Sequence, residues 1–76
     1  MARISQGECC NIPQGYDNVT VTSTDANKRG SYQITGDGTD INKQIDGGEI
    51  QNTPIYKNPV TVTNSGKPIL DVANCN

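Results

Sequence analysis

The 76-residue chain contains no histidine, no tryptophan and no phenylalanine. Without histidine it lacks the commonest general base, the commonest metal ligand and the usual pH switch. Serine, threonine or cysteine nucleophiles normally need such a base beside them, and no lysine or amine is singled out to replace it. Catalysis is not expected, and no cofactor is implied, since P-loop and dinucleotide glycine patterns are absent. Aromatics are limited to three tyrosines. The six basic residues (Arg3, Lys28, Arg29, Lys43, Lys57 and Lys67) form no cluster beyond 28–29. With neither a basic stripe nor stacking aromatics, nucleic-acid binding is not expected. No apolar run is long enough for a membrane span. The opening MARISQGECC has one arginine and no apolar stretch of the kind a secretory leader needs. The expectation is synthesis in a cytoplasm, or a leader already removed.

The aliphatic supply is thin as well: eight Ile, five Val and one Leu. This length allows one small domain. A net charge of −2 is too low to enforce disorder, and the apolar residues are grouped in alternating runs that a disordered chain has no reason to keep. A core this thin is expected to gain from oligomerisation, docking on a larger surface, or a disulfide.

Residues 1–15, MARISQGECCNIPQG, show no period and are punctuated by Gly7, Pro13 and Gly15. They read as an extended N-terminal arm with Ile4 and Ile12 as assembly anchors on a neighbour, ahead of a single small β domain over 16–76. From Asp17 to Thr24, Val19 and Val21 alternate with Thr20, Thr22 and Thr24, the pattern of a half-buried strand. After the polar turn ANKRG, SYQIT puts Tyr32 and Ile34 on one face, so the two runs are expected to form a hairpin. Gly36-Asp37-Gly38-Thr39 is a turn. DINKQID over 40–46 reads as a strand, and Asp46-Gly47-Gly48 as a hairpin turn into a return strand from Glu49 toward Ile55 and Tyr56, with Pro54 marking an edge. The last expected hairpin joins VTVTN at 60–64, through Asn64-Ser65-Gly66-Lys67, to PILDVAN, where Leu70 and Val72 share a face and Asp71 points away. Two phrases are nearly alike, YDNVTVTST at 16–24 and YKNPVTVTNS at 56–65. A duplicated sheet motif would explain them. Convergence is the preferred reading, because the segments that follow do not match and Val-Thr alternation suits any half-exposed strand.

Few polar groups suggest chemistry. Gly36-x-Gly38-x-Asp40 has a faint likeness to a calcium-binding β-roll loop, but one copy of it reads as a turn. Asn18-Val19-Thr20 fits a glycosylation acceptor and is taken as incidental. The cysteines are the most informative: Cys9, Cys10 and Cys75. Three thiols are too few for a structural zinc site. A bridge from Cys9 or Cys10 to Cys75 would tie the arm to the tail, either within one chain or to the next subunit. The odd count leaves one thiol free or paired between chains. Three reduced thiols in a cytoplasmic protein remain the competing reading.

The expected fold is all-β: a small antiparallel sandwich or open barrel of about five to seven short strands in hairpins. The expected role is that of a non-enzymatic structural protein assembling with copies of itself or a larger protein assembly. A small virion component, such as a bacteriophage capsid cement or decoration protein, fits best. The alternatives are a subunit of an extracellular filament or surface layer assembled by strand exchange, and a small soluble binding module or inhibitor.

Overall fold

In a computed structural model, which describes residues 2–13, 20–52 and 56–75, the chain is an all-β sandwich of two four-stranded antiparallel sheets. The strands are β1 (Ala2–Ile4), β2 (Cys9–Ile12), β3 (Thr20–Ser23), β4 (Gly30–Gly36), β5 (Thr39–Ile45), β6 (Ile50–Asn52), β7 (Val60–Asn64) and β8 (Leu70–Val72). Sheet A has the order β1-β8-β3-β6 and sheet B the order β2-β7-β4-β5. The expected strand residues at 17–19 and 53–55 lie outside the described residues.

The expected alternation is present. Val21 faces inward from β3, Tyr32 and Ile34 from β4, Val60 and Val62 from β7, and Leu70 and Val72 from β8. Thr61, Thr63 and Asp71 take the outward positions between them. The interior holds these side chains together with Ile4, Cys10, Ile12, Ile45 and Cys75. The accessible surface is 4410 Å², close to the roughly 4,500 Å² of a compact monomer of this mass. The few aliphatics are therefore placed so that the two sheets cover each other.

The connections differ from those expected. Only β4 and β5 form a hairpin, closed by Asp37 (φ 50°) and Gly38 (φ 70°). Positive φ at both central residues is the type I′ geometry, which matches strand twist and which Asp-Gly favours. The three expected hairpins are arches. The runs around β3 and β4, around β5 and β6, and around β7 and β8 each lie in opposite sheets. In a hairpin both apolar faces lie on one side and need a second layer. In an arch they face each other across the core, so each short turn folds one strand's dry side onto the next.

Residues 2–12, read from the sequence as an arm, carry two strands of the sandwich. Pairing β1 with β8 and β2 with β7 puts this segment in both sheets. Ile4 and Ile12, expected to anchor on a neighbour, are buried at 4% and 2% exposure in the chain's own core.

The two halves of the chain correspond. Replacing each strand of β1–β4 by the one four places later, and each of β5–β8 by the one four places earlier, turns the order of sheet A into that of sheet B. Registers follow: Cys10 lies opposite Val62 in β2–β7, and Gln51 opposite Val21 in β6–β3. Both β1–β2 and β5–β6 connections are the same turn. The Ser5 N–H donates to Glu8 Oε1 and the Glu8 N–H to Ser5 O; the Asp46 N–H donates to Glu49 Oε1 and the Glu49 N–H to Asp46 O. Each turn has glycine in its third place at positive φ, Gly7 at 84° and Gly48 at 76°. The described strand residues of the two Val-Thr phrases then fall on β3 and β7, the equivalent inner strands. This correspondence favours duplication over convergence for those phrases.

Candidate functional site

Strand parity resolves the cysteines. Cys10 shares the inward face of β2 with Ile12, while Cys9 shares the outward face with Asn11. Cys10 is bonded to Cys75, with Cα atoms 5.6 Å apart, and Cys9 is free and exposed. The bond joins sheet B to the residues following β8 of sheet A. It closes the side of the sandwich where edge strands β1 and β2 lie.

The opposite side, between β5 and β6, is closed by one amide. Gln51 Oε1 accepts from the Tyr32 hydroxyl at 2.6 Å, and its Nε2 donates to Gln44 O at 2.9 Å and to Glu49 Oε1 at 3.0 Å. Burial pushes the Tyr32 phenol pKa upward, with smaller contributions from Tyr56 and Glu49.

Asn64 locks the β7–β8 arch. Its side chain is fully buried. Nδ2 donates to Ile4 O at 2.9 Å and Pro68 O at 2.8 Å, and Oδ1 accepts from the Gly66 N–H at 2.9 Å. Sequence reasoning placed Asn64 where the strand meets its turn and gave neither Asn64 nor Gln51 a bonding role. Asn64 does lie in phase with Val60 and Val62, which is the signal for an inward position.

The two outer faces differ. Sheet A carries the ion pair of Arg3 and Asp71, Nε to Oδ1 at 2.8 Å and Nη2 to Oδ2 at 3.0 Å, and the exposed Ile50 and Ile69. The Arg3 guanidinium holds the Asp71 carboxyl below its usual range. The outer face of sheet B is nearly free of charge in its central rows, while Arg29 and Asp46 border it beside Gln44. Its register aligns Cys9, Thr63, Gln33 and Asn42 in one row and Asn11, Thr61, Thr35 and Asp40 in the next. Ser31 and Gln44 continue the array on β4 and β5. These side chains bond one another: the Thr61 hydroxyl donates to Asn11 Oδ1 at 3.0 Å, and Gln33 Nε2 to Asp40 Oδ1 at 2.8 Å. Asp40 is the single charged residue in these rows.

The loop with the faint calcium-site likeness is used internally. Asp37 accepts from Asn58 Nδ2 at 2.7 Å and from the Lys57 N–H at 3.2 Å, and these bonds lower its pKa. Asp40 is on the neighbouring face, held by Gln33. Among the described residues no three His, Cys, Asp or Glu groups converge on a metal position, and no helix is long and apolar enough to cross a membrane. The first two residues of the Asn18-Val19-Thr20 triplet lie outside the described residues.

The chain matches no protein-family model, no curated protein and no solved structure.

Proposed function

We propose that the protein is a non-enzymatic structural module that works by laying a sheet face against other protein in a larger assembly. The observation that carries this reading is the outer face of sheet B, a two-row array of threonine, asparagine and glutamine with Asp40 as its only charge. Covering a charged group is expensive unless it is paired, whereas hydroxyls and amides exchange water for partner hydrogen bonds at little cost. Charge depletion is also what marks the centre of a protein interface. Of the two ion pairs among the described residues, Arg3 with Asp71 lies on sheet A, and Arg29 with Asp46 borders the sheet B array, where Arg29 Nη1 donates to Gln44 Oε1 at 3.3 Å.

Within that class a small virion component, such as a capsid cement or decoration protein, remains the favoured reading. A bond such as Cys10–Cys75 persists at virion and cell surfaces and in other oxidising settings, so an extracellular filament or surface layer shares this support. Strand exchange through residues 1–15 is less favoured, since β2 would have to leave the sandwich while Cys10 stays bonded to Cys75.

Size fractionation of source material tests the reading. The chain is expected in particles far heavier than its 8.1 kDa, and a Thr61→Glu/Gln33→Glu variant is expected to fold yet leave the particle fraction. Recovery of the wild type solely as a free monomer would remove the proposal.

A further inference from the structure

The four edge strands of the sandwich are not equally open. An exposed strand edge is a template for pairing with another chain, and proteins blunt such edges with short length, charge or a cap. Strands β1 and β6 have three residues each, and β1 carries Arg3 at its centre. Strand β2 has four and runs straight out of the Ser5–Glu8 turn, where the Gly7 N–H is already given to Asn64 O. Strand β5, Thr39–Ile45, has seven.

The free groups of β5 follow from its ladder with β4. The Gln44 carbonyl points away from β4, since it accepts from Gln51 Nε2 at 2.9 Å. Antiparallel bonding alternates along a strand. Thr39, Ile41 and Lys43 therefore bond to β4, and Asp40 and Asn42 direct their N–H and C=O groups outward. Among the described residues nothing bonds these outward groups. Two devices cover the far end of the strand: the Gln51 cap on Gln44, and Lys43, which is exposed although it lies opposite the buried Tyr32. The bare stretch between the cap and the Asp37-Gly38 turn is centred on Ile41, half-buried on the core side opposite Ile34.

We propose that β5 is a self-pairing edge, at which two copies of this chain join antiparallel about a twofold axis through Ile41, making one sheet from two sheets B. In this register Asp40 lies opposite the partner's Asn42, and the two exchange N–H and C=O bonds across the edge. Every bare group of the stretch is then used. Ile41 meets the partner's Ile41 in a non-hydrogen-bonded pair, where Cα atoms come within about 4.5 Å and side chains approach closest. Apolar surface that one chain leaves half in water is covered there. Lys43 falls opposite the partner's Thr39, at the end of the paired stretch. Gln44 falls opposite the partner's Gly38, so the Gln51 cap stays in place and meets no side chain. Neighbouring registers fail. Centring on Asn42 would call on the carbonyl that Gln51 already holds. Centring on Asp40 would set two carboxylates directly opposite each other, which is destabilising. The devices that blunt the edge select one register, and pairing consumes both edges, so the product is a closed dimer and not a growing stack. On the outer face, the row that ends in Asp40 runs on into the partner's Asn42, and the polar array doubles in width. One cost remains: the two Asp40 carboxylates share a diagonal of about 7–8 Å, each held by its own Gln33.

This inference deepens the assembly reading and is tested apart from it, on the purified full chain. An interface this small lies below about 1,200 Å² and is weak. Sedimentation equilibrium and amide hydrogen exchange therefore follow a dilution series from about 1 mM to about 10 μM, where weak affinities are read. A dimer is expected at the upper end, with exchange at the Asp40 and Asn42 amides slowed several-fold in it. Asn42→Pro removes an N–H that β4 does not use and is expected to weaken the dimer roughly tenfold while the monomer stays folded. Asp40→Asn removes the diagonal repulsion and is expected to tighten it several-fold. Register is read in a Cys9→Ser background under oxidised glutathione. Ile41→Cys is expected to give a disulfide-linked dimer roughly tenfold faster than Lys43→Cys, since position 41 alone stands opposite itself within the Cα span of about 4.4–6.8 Å that a disulfide requires. A chain that stays monomeric at the highest concentration overturns the proposal. So does equal cross-linking of the two cysteine variants. Either result leaves the sheet B face to be decided by the particle experiment.

Discussion

Cys10 and Gln51 occupy equivalent places in the two halves of the fold, each facing inward from an edge strand and each closing one side of the sandwich. Cys10 does so with a covalent bond to Cys75. Gln51 does so with hydrogen bonds to Tyr32, Gln44 and Glu49. The two closures respond to different perturbations and can be measured separately.

The covalent side should dominate stability. The Cys10–Cys75 bond spans 65 residues of sequence, and closing a loop of that length restricts the unfolded chain by about 4 kcal/mol in the chain-entropy model. Cys75→Ser is therefore expected to lower the unfolding free energy by about that amount in a urea titration. Reductant should destabilise the wild type toward the variant and leave the variant unmoved.

The amide side should show coupling. Gln51→Ala leaves the Tyr32 hydroxyl without its acceptor, at a cost of about 1–3 kcal/mol. Tyr32→Phe removes the orphaned group, so the double variant should be less destabilised than the two single losses added together. Simple additivity in the double-mutant cycle would mean that the 2.6 Å bond contributes nothing.

Asn64 serves three backbone groups from one buried side chain. Asn64→Leu orphans the Gly66 N–H and the Ile4 and Pro68 carbonyls together, and about 2–4 kcal/mol is expected to be lost. Asn64→Asp should be worse, because an ionised carboxylate would face two carbonyl oxygens inside the core. Thermal unfolding of both variants gives the order. An Asp variant as stable as the wild type would contradict the donor assignment.

What the sequence disclosed was parity. Val60, Val62, Leu70 and Val72 face where their spacing puts them, and the Asp37-Gly38 turn forms the hairpin its residues favour. Hairpin and arch leave the same period-two pattern, so Ser65 to Ile69 gave no local sign that β8 crosses to the other sheet. The arch is tied from inside by the Asn64 amide on Pro68 and over long range by the same amide on Ile4. The segment 1–15 hid two strands because ARI and CCNI are too short to show a period, and because Cys10 acts as an apolar residue once bonded. The alternatives Cys9 and Cys10 for the bridge to Cys75 were separable only once Ile12 was known to face inward. On the candidate surface, the β7 threonines were legible as outward-facing, but their alignment with Gln33 and Asn11 depends on pairings between distant strands.

Ser23 offers a gain in stability. It is 2% exposed and faces the core from β3, and its hydroxyl finds no partner among the described residues. A buried hydroxyl without a hydrogen bond costs about 1–3 kcal/mol. Ser23→Ala removes that penalty and leaves only a small void, so a rise of about 1 kcal/mol is expected in the urea titration. A loss of stability would show that the hydroxyl is satisfied after all.

Acid should weaken the sheet A face through Asp71. Its carboxyl is held below the ordinary value of 3.8 by the Arg3 hydrogen bond and charge, and Asp37 is lowered chiefly by the Asn58 amide. A depressed folded pKa means that the unfolded chain takes up the proton first as pH falls. The stabilisation is thus complete above the unfolded carboxyl value and disappears as pH drops through the lower folded values, from just above 3.8 downward. Arg3 lies largely in solvent, so salt screens its part. Urea midpoints from pH 5 to pH 2 are expected to fall less steeply in Arg3→Gln than in the wild type at low salt, with the two converging in high salt. Parallel curves at low salt would remove Arg3 from the account, and a steeper fall in Arg3→Gln would reverse the sign of the linkage.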